Sequence, residues 1–235
     1  TCVVINYDEK NGEPRPEDMP KIQVRSTADA ITGWEYQVIP ANFGFLVKDG
    51  KNQYAENHSS DPASRSFVGI KENGDIVMVM NDGRQAPFSC GGSMQEIAQI
   101  MLDAGCVEAI NLDGGGSTTY LSKPEGADSL KLVNRPSDGF ARSVATSLVA
   151  VSTAKSSKEF DHANITSDYD YLTIGTELKL VATGVSNTGN AAALPEGLTW
   201  EVSDSTIGSV SADGVFTALA NGDVKVHLVK DGVVV

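Results

Sequence analysis

The sequence predicts an α+β domain, with a mixed sheet and packed helices, over residues 1–152, followed by an all-β sandwich over residues 153–235. Three observations support this prediction. The first part combines strand-like apolar runs with a clear amphipathic helix. A small polar stretch at 152–158 is typical of a linker. Short β-like segments at even spacing follow it, with no helical period.

The strands of the first domain are predicted one by one from apolar runs and turn residues. The first forty residues are hard to interpret, apart from a proline- and glycine-containing loop at 11–16. A strand is expected over 44–50, and an exposed loop over 52–64. Two apolar runs around a glycine turn predict a β-hairpin over 66–80. Because its second strand is apolar on both faces, we expect that strand to lie inside the sheet.

The clearest helix begins after Ser93. Ser93 and Glu96 form the pattern of a capping box. From Met94 onward, apolar residues recur at i, i+3, i+4, i+7 and i+8, which predicts one apolar stripe packed against the sheet. Gly105 is suited to the C-terminal end of this helix.

Further strands are predicted on both sides of the linker. A buried strand is expected over 106–112, another from Tyr120, and a third over 142–151. The short segments of the second domain lie at 177–182, 198–202, 214–218 and 224–229.

Charge and composition exclude several classes of function. The net charge is −13, from 31 acidic and 18 basic residues, and such a surface repels nucleic acid and anionic membranes. No apolar run approaches the ~20 residues of a membrane-spanning helix, and the start of the sequence lacks the features of a signal peptide. The three cysteines favour free thiols over a single bridge, and without a Cys-x-x-Cys pair they predict no structural zinc site.

One loop has the composition of an anion-binding site. A buried strand leads through Asn111 to Asp113, and three glycines and two hydroxyl residues follow. Glycine N–H groups can form a concave site suited to phosphate. The alternative is a tight turn with a solvated aspartate. The loop residues after Asp113 are Gly114, Gly115, Gly116, Ser117 and Thr118.

Arginines beside small residues form a second group of candidates. Arg65, Arg84 and Arg142 stand next to serine, glycine or alanine. A planar guanidinium binds phosphate oxygens in two-pronged fashion, which lysine cannot do. Taken singly, each could equally be one partner of a surface salt bridge. Asn134 lies in a polar loop that could supply further hydrogen bonds.

Together these motifs resemble the phosphodiester glycosidase family over residues 44–151. The motifs that carry the resemblance, in order, are Arg65-Ser66 with Gly69, Asn81-Asp82-Gly83-Arg84, Gly92-Ser93-Met94-Gln95-Glu96, Asn111-Leu112-Asp113-Gly114-Gly115-Gly116-Ser117-Thr118, Asn134-Arg135-Pro136 and Arg142-Ser143-Val144. The resemblance implies a hydrolase that removes a sugar from a phosphodiester, with a glycosyl phosphate or cell-wall glycan as substrate. Residues 1–40 show no clean match to the start of the family's domains, so we expect this part to be divergent or incomplete.

The C-terminal part resembles bacterial immunoglobulin-like (group 2) domains. The resemblance rests on the segments 194–204, which includes Trp200, and 210–218. It implies a surface spacer or adhesive unit with the tryptophan in its core. We therefore expect an exported bacterial protein, extracellular or on the cell surface.

These observations lead to a hypothesis for the chemistry. Asp113 is the candidate nucleophile or base, with Asp82 as the second carboxylate of a glycosidase pair. The residues expected to bind phosphate or sugar are Arg65, Arg84, Arg142, Asn111, Gly114, Gly115, Gly116, Ser117, Thr118 and Asn134. No cofactor is predicted, and the stereochemical outcome stays open.

Three alternatives accompany this hypothesis. Asp82 or Asp113 could bind a divalent cation through carboxylate oxygen. The three histidines, His58, His162 and His227, lie outside the motifs, so no histidine-based metal site or base is predicted. The domain could instead be a non-catalytic cell-surface module that binds phosphorylated glycans, or a structural surface protein.

Overall fold

The computed structural model describes residues 1–56 and 61–235. It divides into two compact units. The first contains Thr1–Leu121 and Leu132–Ser147, and the second contains Ser122–Lys131 and Leu148–Val235. His58 lies outside the described residues. The predicted domain boundary at residue 152 stays a prediction.

The first unit consists of antiparallel sheets and one helix. Its strands are β1 (Cys2–Asn6), β2 (Glu9–Lys10), β3 (Glu13–Pro14), β4 (Ile22–Arg25), β5 (Glu35–Pro40), β6 (Phe45–Lys48), β7 (Lys51–Asn52), β8 (Arg65–Lys71), β9 (Ile76–Asn81) and β10 (Cys106–Asn111). The main sheet has the order β7-β6-β10-β8-β9, and a smaller sheet has the order β4-β1-β5. Helix α1 (Met94–Asp103) packs on the main sheet. Strands β2 and β3 pair with each other, as do β11 (Leu121–Ser122) and β12 (Lys131–Leu132).

The predicted α+β class, with a mixed sheet and packed helices, is wrong. Strands make up 38% of the chain and helix 6%, so the protein is nearly all β. The strand pairs of the main sheet are antiparallel rather than mixed. Antiparallel neighbours can be joined by short turns, whereas parallel ones need long crossovers, usually helical. Among the described residues α1 is the one α-helix, and short turns such as that between β8 and β9 join neighbouring strands.

Helix α1 is confirmed at its predicted position. The Ser93 hydroxyl accepts a hydrogen bond from the N–H of Glu96 at 3.3 Å, and the Glu96 carboxylate accepts one from the N–H of Ser93 at 2.8 Å. This reciprocal pair satisfies two N–H groups that the first turn leaves without partners. The buried face of the helix is Met94, Ile97, Ala98 and Met101. It completes the hydrophobic core over β6, β8 and β10.

Gly69 of β8 makes the close approach between helix and sheet. A Cβ at this position would lie 2.6 Å from Met101 Cε and 2.7 Å from Cys106 Sγ. We expect Gly69→Ala to lower the free energy of unfolding by about 1–3 kcal/mol, because overpacking a rigid core forces its neighbours to shift. Denaturant unfolding measures the change. Gly44→Ala is the matched control, since a Cβ there meets nothing within 4 Å. Equal stability of the two variants would contradict this packing.

Two local predictions fail because strand neighbours are set by distant residues. Strand β9 forms the predicted hairpin with β8, but it lies at the sheet edge, and Ile76 and Met78 are exposed. No strand is present over 142–151, where no described residue pairs with the segment. The expected loop at 52–64 is exposed over most of its described residues, with Ala63 and Ser64 buried at its end.

An ion pair ties β4 to β5 in the smaller sheet. Arg25 Nη2 lies 2.9 Å from Glu35 Oε1, and both side chains are largely buried. The Glu35 carboxylate also accepts hydrogen bonds from the N–H groups of Thr32 and Gly33 at 2.9 and 2.8 Å. Hydrogen bonds led by that from Thr32 lower the pKa of Glu35 to about 2.

The Glu35 carboxylate makes the free energy of unfolding depend on pH in the acid range. The folded pKa lies below the unfolded value of 4.5, so the stabilisation is full above pH 4.5 and disappears as pH falls toward 2. We expect the loss to be about 1 kcal/mol, because solvent screens part of the effect. Unfolding curves from pH 6 to pH 2 measure it. In Glu35→Gln the acid-dependent part should be smaller by that amount, and an unchanged pH profile would contradict the assignment.

The second unit is built from strands alone among its described residues. They are β13 (Phe160–Thr166), β14 (Glu177–Lys179), β15 (Val181–Ser186), β16 (Ala191–Ala192), β17 (Thr199–Val202), β18 (Gly208–Val210), β19 (Val215–Ala218), β20 (Val226–Lys230) and β21 (Val233–Val234). They form three sheets, β13-β15-β16, β14-β19-β18 and β17-β20-β21. Trp200 packs against the core of Leu180, Phe216 and Ala218. The immunoglobulin-like identity of this unit stays a prediction.

Two further expectations concern the whole chain. Cys2, Cys90 and Cys106 are all free thiols, as the sequence favours, and only Cys90 is exposed. Within the described residues, no helix has the length and apolar character that crossing a membrane requires.

Candidate active site

The glycine loop lies against the start of β8. After β10 ends at Asn111, the N–H of Leu112 donates to the carbonyl of Ser66 at 2.8 Å. The N–H of Gly115 then donates to the carbonyl of Ser64 at 2.8 Å, and the Ser64 hydroxyl donates back to the Gly115 carbonyl at 2.9 Å. These bonds hold a single 3₁₀ turn, Gly115–Ser117, in a fixed position.

The three glycines lie beside the three predicted arginines, but only two of them meet a guanidinium. A Cβ on Gly114 would lie 3.0 Å from the Ser64 carbonyl oxygen and 3.5 Å from Arg65 Cα, and one on Gly115 would lie 2.9 Å from Arg84 Nη1. A Cβ on Gly116 would overlap the Arg142 guanidinium. Gly115 also has a φ of +62°, which side-chain-bearing residues rarely adopt. The three predicted arginines therefore lie around one loop, and a side chain at Gly115 or Gly116 would displace Arg84 or Arg142.

Arg65 and Arg84 form the positively charged part of the site. Arg65 Nε donates to the carbonyl of Gly92 at 3.2 Å, and its Nη2 donates to the carbonyl of Asp61 at 3.0 Å. Burial lowers the pKa of Arg65, and the neighbouring positive charge of Arg84 lowers it further. Two like charges held this close create a strong preference for an anion between or beside them.

The pairing of all six arginines shows which ones are available for an anion. Those paired with a carboxylate are Arg15 with Asp8, Arg25 with Glu35 and Arg142 with Asp138. Among the described residues, no carboxylate pairs with Arg65, Arg84 or Arg135. In a chain with a net charge of −13, three such arginines associated with a single set of loops indicate an anion site.

Arg135 was not singled out by the sequence analysis, although it follows Asn134 directly. Its guanidinium lies 5.1 Å from the centroid of the exposed Phe88 ring. Gln85 Nε2 donates to its carbonyl at 2.7 Å, and its own N–H donates to the Asp82 carboxylate. Its place inside the motif Asn134-Arg135-Pro136 was the available signal.

Arg142 differs from the other two predicted arginines. Its Nε and Nη2 donate to Asp138 Oδ2 at 3.0 and 2.5 Å, and its Nη1 lies 3.4 Å from the Ser117 hydroxyl. The charge of Arg142 is therefore largely compensated within the protein. Asp138 was missed from the sequence, where the only signal was an acid four residues before an arginine.

Asp82 holds the loop that carries Asn134. One carboxylate oxygen of Asp82 accepts from Asn134 Nδ2 at 3.1 Å, and both accept from the N–H of Arg135 at 3.0 and 3.1 Å. Asn134 is buried, and it also donates to the carbonyl of Thr118 at 3.1 Å and accepts from the N–H of Tyr120 at 2.7 Å. In this structure, both side chains are engaged in fixing the site's loops.

Asp113 is the exposed carboxylate of the site. Its Oδ1 accepts from Asn42 Nδ2 at 3.1 Å and from the N–H of Gly114 at 3.0 Å. Among the described residues, no group donates a hydrogen bond to the other carboxylate oxygen of Asp113. Asn42 comes from the N-terminal region, which gave no sequence signal for a role in the site.

Other predicted loop residues lie beneath the surface. Asn111 is buried, and its Nδ2 donates to the carbonyl of Leu112 at 2.6 Å. Thr118 is fully buried, and its hydroxyl lies 3.5 Å from that of Ser66. The N–H groups of Gly114 and Gly115 are engaged inside the loop. The guanidinium groups are thus better placed than these atoms to contact an anion.

A shallow cleft of about 310 Å³ borders the site at Asp82. Its lining residues are Asn81, Asp82, Ser89, Gly91, Gly92, Glu96, Ile97 and Ile100. Neither Asp113 nor the predicted arginines belong to this lining. The candidate site is therefore located by the polar side chains that meet at the glycine loop, and not by this cleft. In the described chain, no group of three or more histidine, cysteine or acidic side chains is arranged to hold a metal ion.

Fold and site together define a β-rich protein with a glycine loop beside three arginines and an exposed carboxylate at the edge of that loop. A family model described as "Phosphodiester glycosidase" matches residues 5–151, which is more than half of the chain. The chain therefore belongs to the phosphodiester glycosidase family. The match extends the sequence-based resemblance from residue 44 back to residue 5, and it includes Asn42. At a coarse level, membership assigns the chain to a family of glycoside-cleaving hydrolases.

Individual relatives are distant. An uncharacterized protein of Bacillus subtilis (strain 168), the SPbeta prophage-derived YomE, is 33% identical over 110 residues. That match covers 44% of this chain and 16% of the relative. The zebrafish N-acetylglucosamine-1-phosphodiester α-N-acetylglucosaminidase catalytic domain, auto-inhibited by its pro-peptide, matches with 18% identity, a TM-score of 0.37, and coverage of 58% of this chain and 55% of that one. A hypothetical protein from Synechocystis matches with 24% identity, a TM-score of 0.35, and coverage of 60% and 32%.

Proposed function

We propose that this protein hydrolyses the glycosidic bond of a sugar-1-phosphodiester. The observation that carries the proposal is the placement of Arg65 and Arg84 against successive glycines of the loop that begins at the exposed Asp113. A phosphodiester carries one negative charge, and two neighbouring guanidinium groups that no described carboxylate pairs with provide its complement. The family of the chain supports the same reaction class.

In the proposed reaction, Arg65 and Arg84 hold the phosphate while the bond from the anomeric carbon to the phosphate oxygen breaks. The electron pair of that bond leaves with the phosphate, and the two guanidinium groups stabilise the developing charge. Phosphate is a good leaving group, so a strong general acid is not required. Asp113 acts at the anomeric carbon as nucleophile, or on the attacking water as base.

Three further residues have supporting roles in this proposal. Asp82 and Asn134 fix the loop that carries Arg135, through their direct hydrogen bond. Arg142 holds Ser117 in place while paired with Asp138. Phosphate binding thus falls chiefly to Arg65 and Arg84, with Arg142 as a positioning residue.

The test is hydrolysis of a synthetic glycosyl phosphodiester, followed by ³¹P NMR. We expect a phosphomonoester, detected by ³¹P NMR, and free sugar, whose first-formed anomer is identified by ¹H NMR and distinguishes retention from inversion. A parallel reaction with chelator tests the divalent-cation alternative. Binding of the substrate without turnover would instead support the non-catalytic module for phosphorylated glycans, and neither binding nor turnover would favour the structural protein.

We also propose that the second unit is an immunoglobulin-like spacer and that the protein acts outside the cell or at a bacterial surface. Its support is the strand pattern and the position of Trp200 against the core of Leu180, Phe216 and Ala218. Fractionation of the native host, with detection of the protein in medium and cell-wall fractions, tests this location.

A further inference from the structure

Phe43 has a backbone conformation that its side chain does not favour. Its φ is +74°, in the left-handed region. The other positive-φ residues that are not glycine are Asn11, Asp49, Arg84 and Asp231. Asparagine and aspartate tolerate this region, whereas a bulky aromatic residue there is an outlier. The residue is 62% exposed, so burial does not offset the cost.

The surroundings of Phe43 belong to the candidate site. The Arg65 guanidinium carbon lies 6.0 Å from the centroid of the Phe43 ring, within the usual range of a cation–π contact. The preceding residue, Asn42, donates to Asp113 at 3.1 Å. The Thr1 hydroxyl donates to the Phe43 carbonyl at 3.0 Å, and this hydrogen bond links Phe43 to the residue that precedes β1.

The course of the chain at residues 42 and 43 connects these observations. Asn42 contacts the Asp113 carboxylate and Phe43 contacts the Arg65 guanidinium, so a single dipeptide touches one acidic and one basic group of the proposed site. Strained residues persist where the surrounding structure holds them in place, and they cluster at functional sites. Arg84, the other strained residue outside the asparagine and aspartate group, lies at the same loop.

We infer that Phe43 is a positioning residue of the site, whose ring holds the Arg65 guanidinium in place for the phosphate of the substrate. The inference rests on the proposed function for the identity of that anion. Arg65 has no carboxylate partner among the described residues, so the ring and two backbone carbonyls fix its head group. Without the ring, the guanidinium gains rotational freedom that phosphate binding must remove.

The experiment uses the full chain and inorganic phosphate as the probe. Glycine relieves the left-handed strain, so we expect Phe43→Gly to keep or raise the melting temperature. We expect the same variant to raise the dissociation constant for inorganic phosphate, measured by calorimetry, about 3- to 10-fold. Asp49→Gly is the matched control, because Asp49 has a φ of +51° in a turn between β6 and β7 and lies outside the proposed site.

An aromatic rescue separates this role from simple packing. Phe43→Trp should retain phosphate affinity, while Phe43→Leu, which is apolar without a π face, should lose it as the glycine variant does. Wild-type affinity in Phe43→Gly, equal loss in Asp49→Gly, or undetectable phosphate binding by the native protein would each overturn the inference. None of these results depends on turnover, so the hydrolysis assay judges the proposed function separately.

Discussion

Replacement of Asp113 by asparagine is expected to lower kcat for glycosyl-phosphodiester hydrolysis by roughly 10³-fold or more, in line with the loss of a nucleophile or general base. Asparagine has the same shape, and its side-chain oxygen can still accept from Asn42 and the N–H of Gly114. The loop geometry should therefore survive while the negative charge disappears. Initial rates of phosphomonoester release measure the effect.

The matched control for this variant is Asp103→Asn. Asp103 is a carboxylate at the end of α1, and it accepts from Gln99 Nε2 at 2.8 Å, away from the glycine loop. Its replacement should leave the rate unchanged. Affinity for inorganic phosphate should persist in Asp113→Asn, because Arg65 and Arg84 are intact. Turnover within about tenfold of the native rate would remove Asp113 from the chemistry.

Features set by local sequence were predicted from the sequence. The capping box at Ser93 and Glu96 involves residues three apart, and its geometry is reproduced in the structure. The hairpin of β8 and β9 depends on a short turn, and it forms as expected. In both cases, the residues that decide the structure lie within a few positions of each other.

Features set by distant partners were not predicted. The apolar character of β9 suggested an interior strand, but β10 pairs with β6 and β8 and leaves β9 at the edge. The apolar run at 142–151 has the composition of a strand, yet strand formation requires a neighbour with free hydrogen-bonding groups. The composition of one segment does not show which other strand has free hydrogen-bonding groups to pair with it.

The candidate site shows the same contrast between features set by local sequence and features set by distant residues. The ordered motifs predicted that Arg65, Arg84 and Arg142 would bind one anion at the glycine loop, and the structure places all three beside that loop. Their role there stays a prediction. Two partners of site residues were not predicted: Asp138, which pairs with Arg142, and Asn42, which donates to Asp113. Neither belongs to a motif identified in the sequence. The pairing of Arg142 with Asp138 changes the expected role of this arginine from direct phosphate contact to support of the loop.

The second large effect is expected from Gly116→Ala. The added Cβ would overlap both the Arg142 guanidinium and the Asp138 carboxylate. The ion pair must then separate or the 3₁₀ turn must move, and either change displaces Ser117 and its neighbours. A shift of about 1 Å near a reacting group costs about 10²-fold in rate. We expect a loss of that size in kcat/KM, measured on the same phosphodiester, with Gly44→Ala retaining native activity as control.

A second substitution distinguishes crowding from a general loss of fold. Asp138→Ala removes one of the two groups that the new methyl would overlap, so the double variant Gly116→Ala/Asp138→Ala should regain part of the activity lost by Gly116→Ala. The single variant Asp138→Ala tests the role of Arg142. If Arg142 supports the loop, freeing it should lower activity without improving phosphate affinity. If Asp138→Ala instead binds inorganic phosphate more tightly, Arg142 contacts the anion directly, and the supporting role assigned to it is wrong.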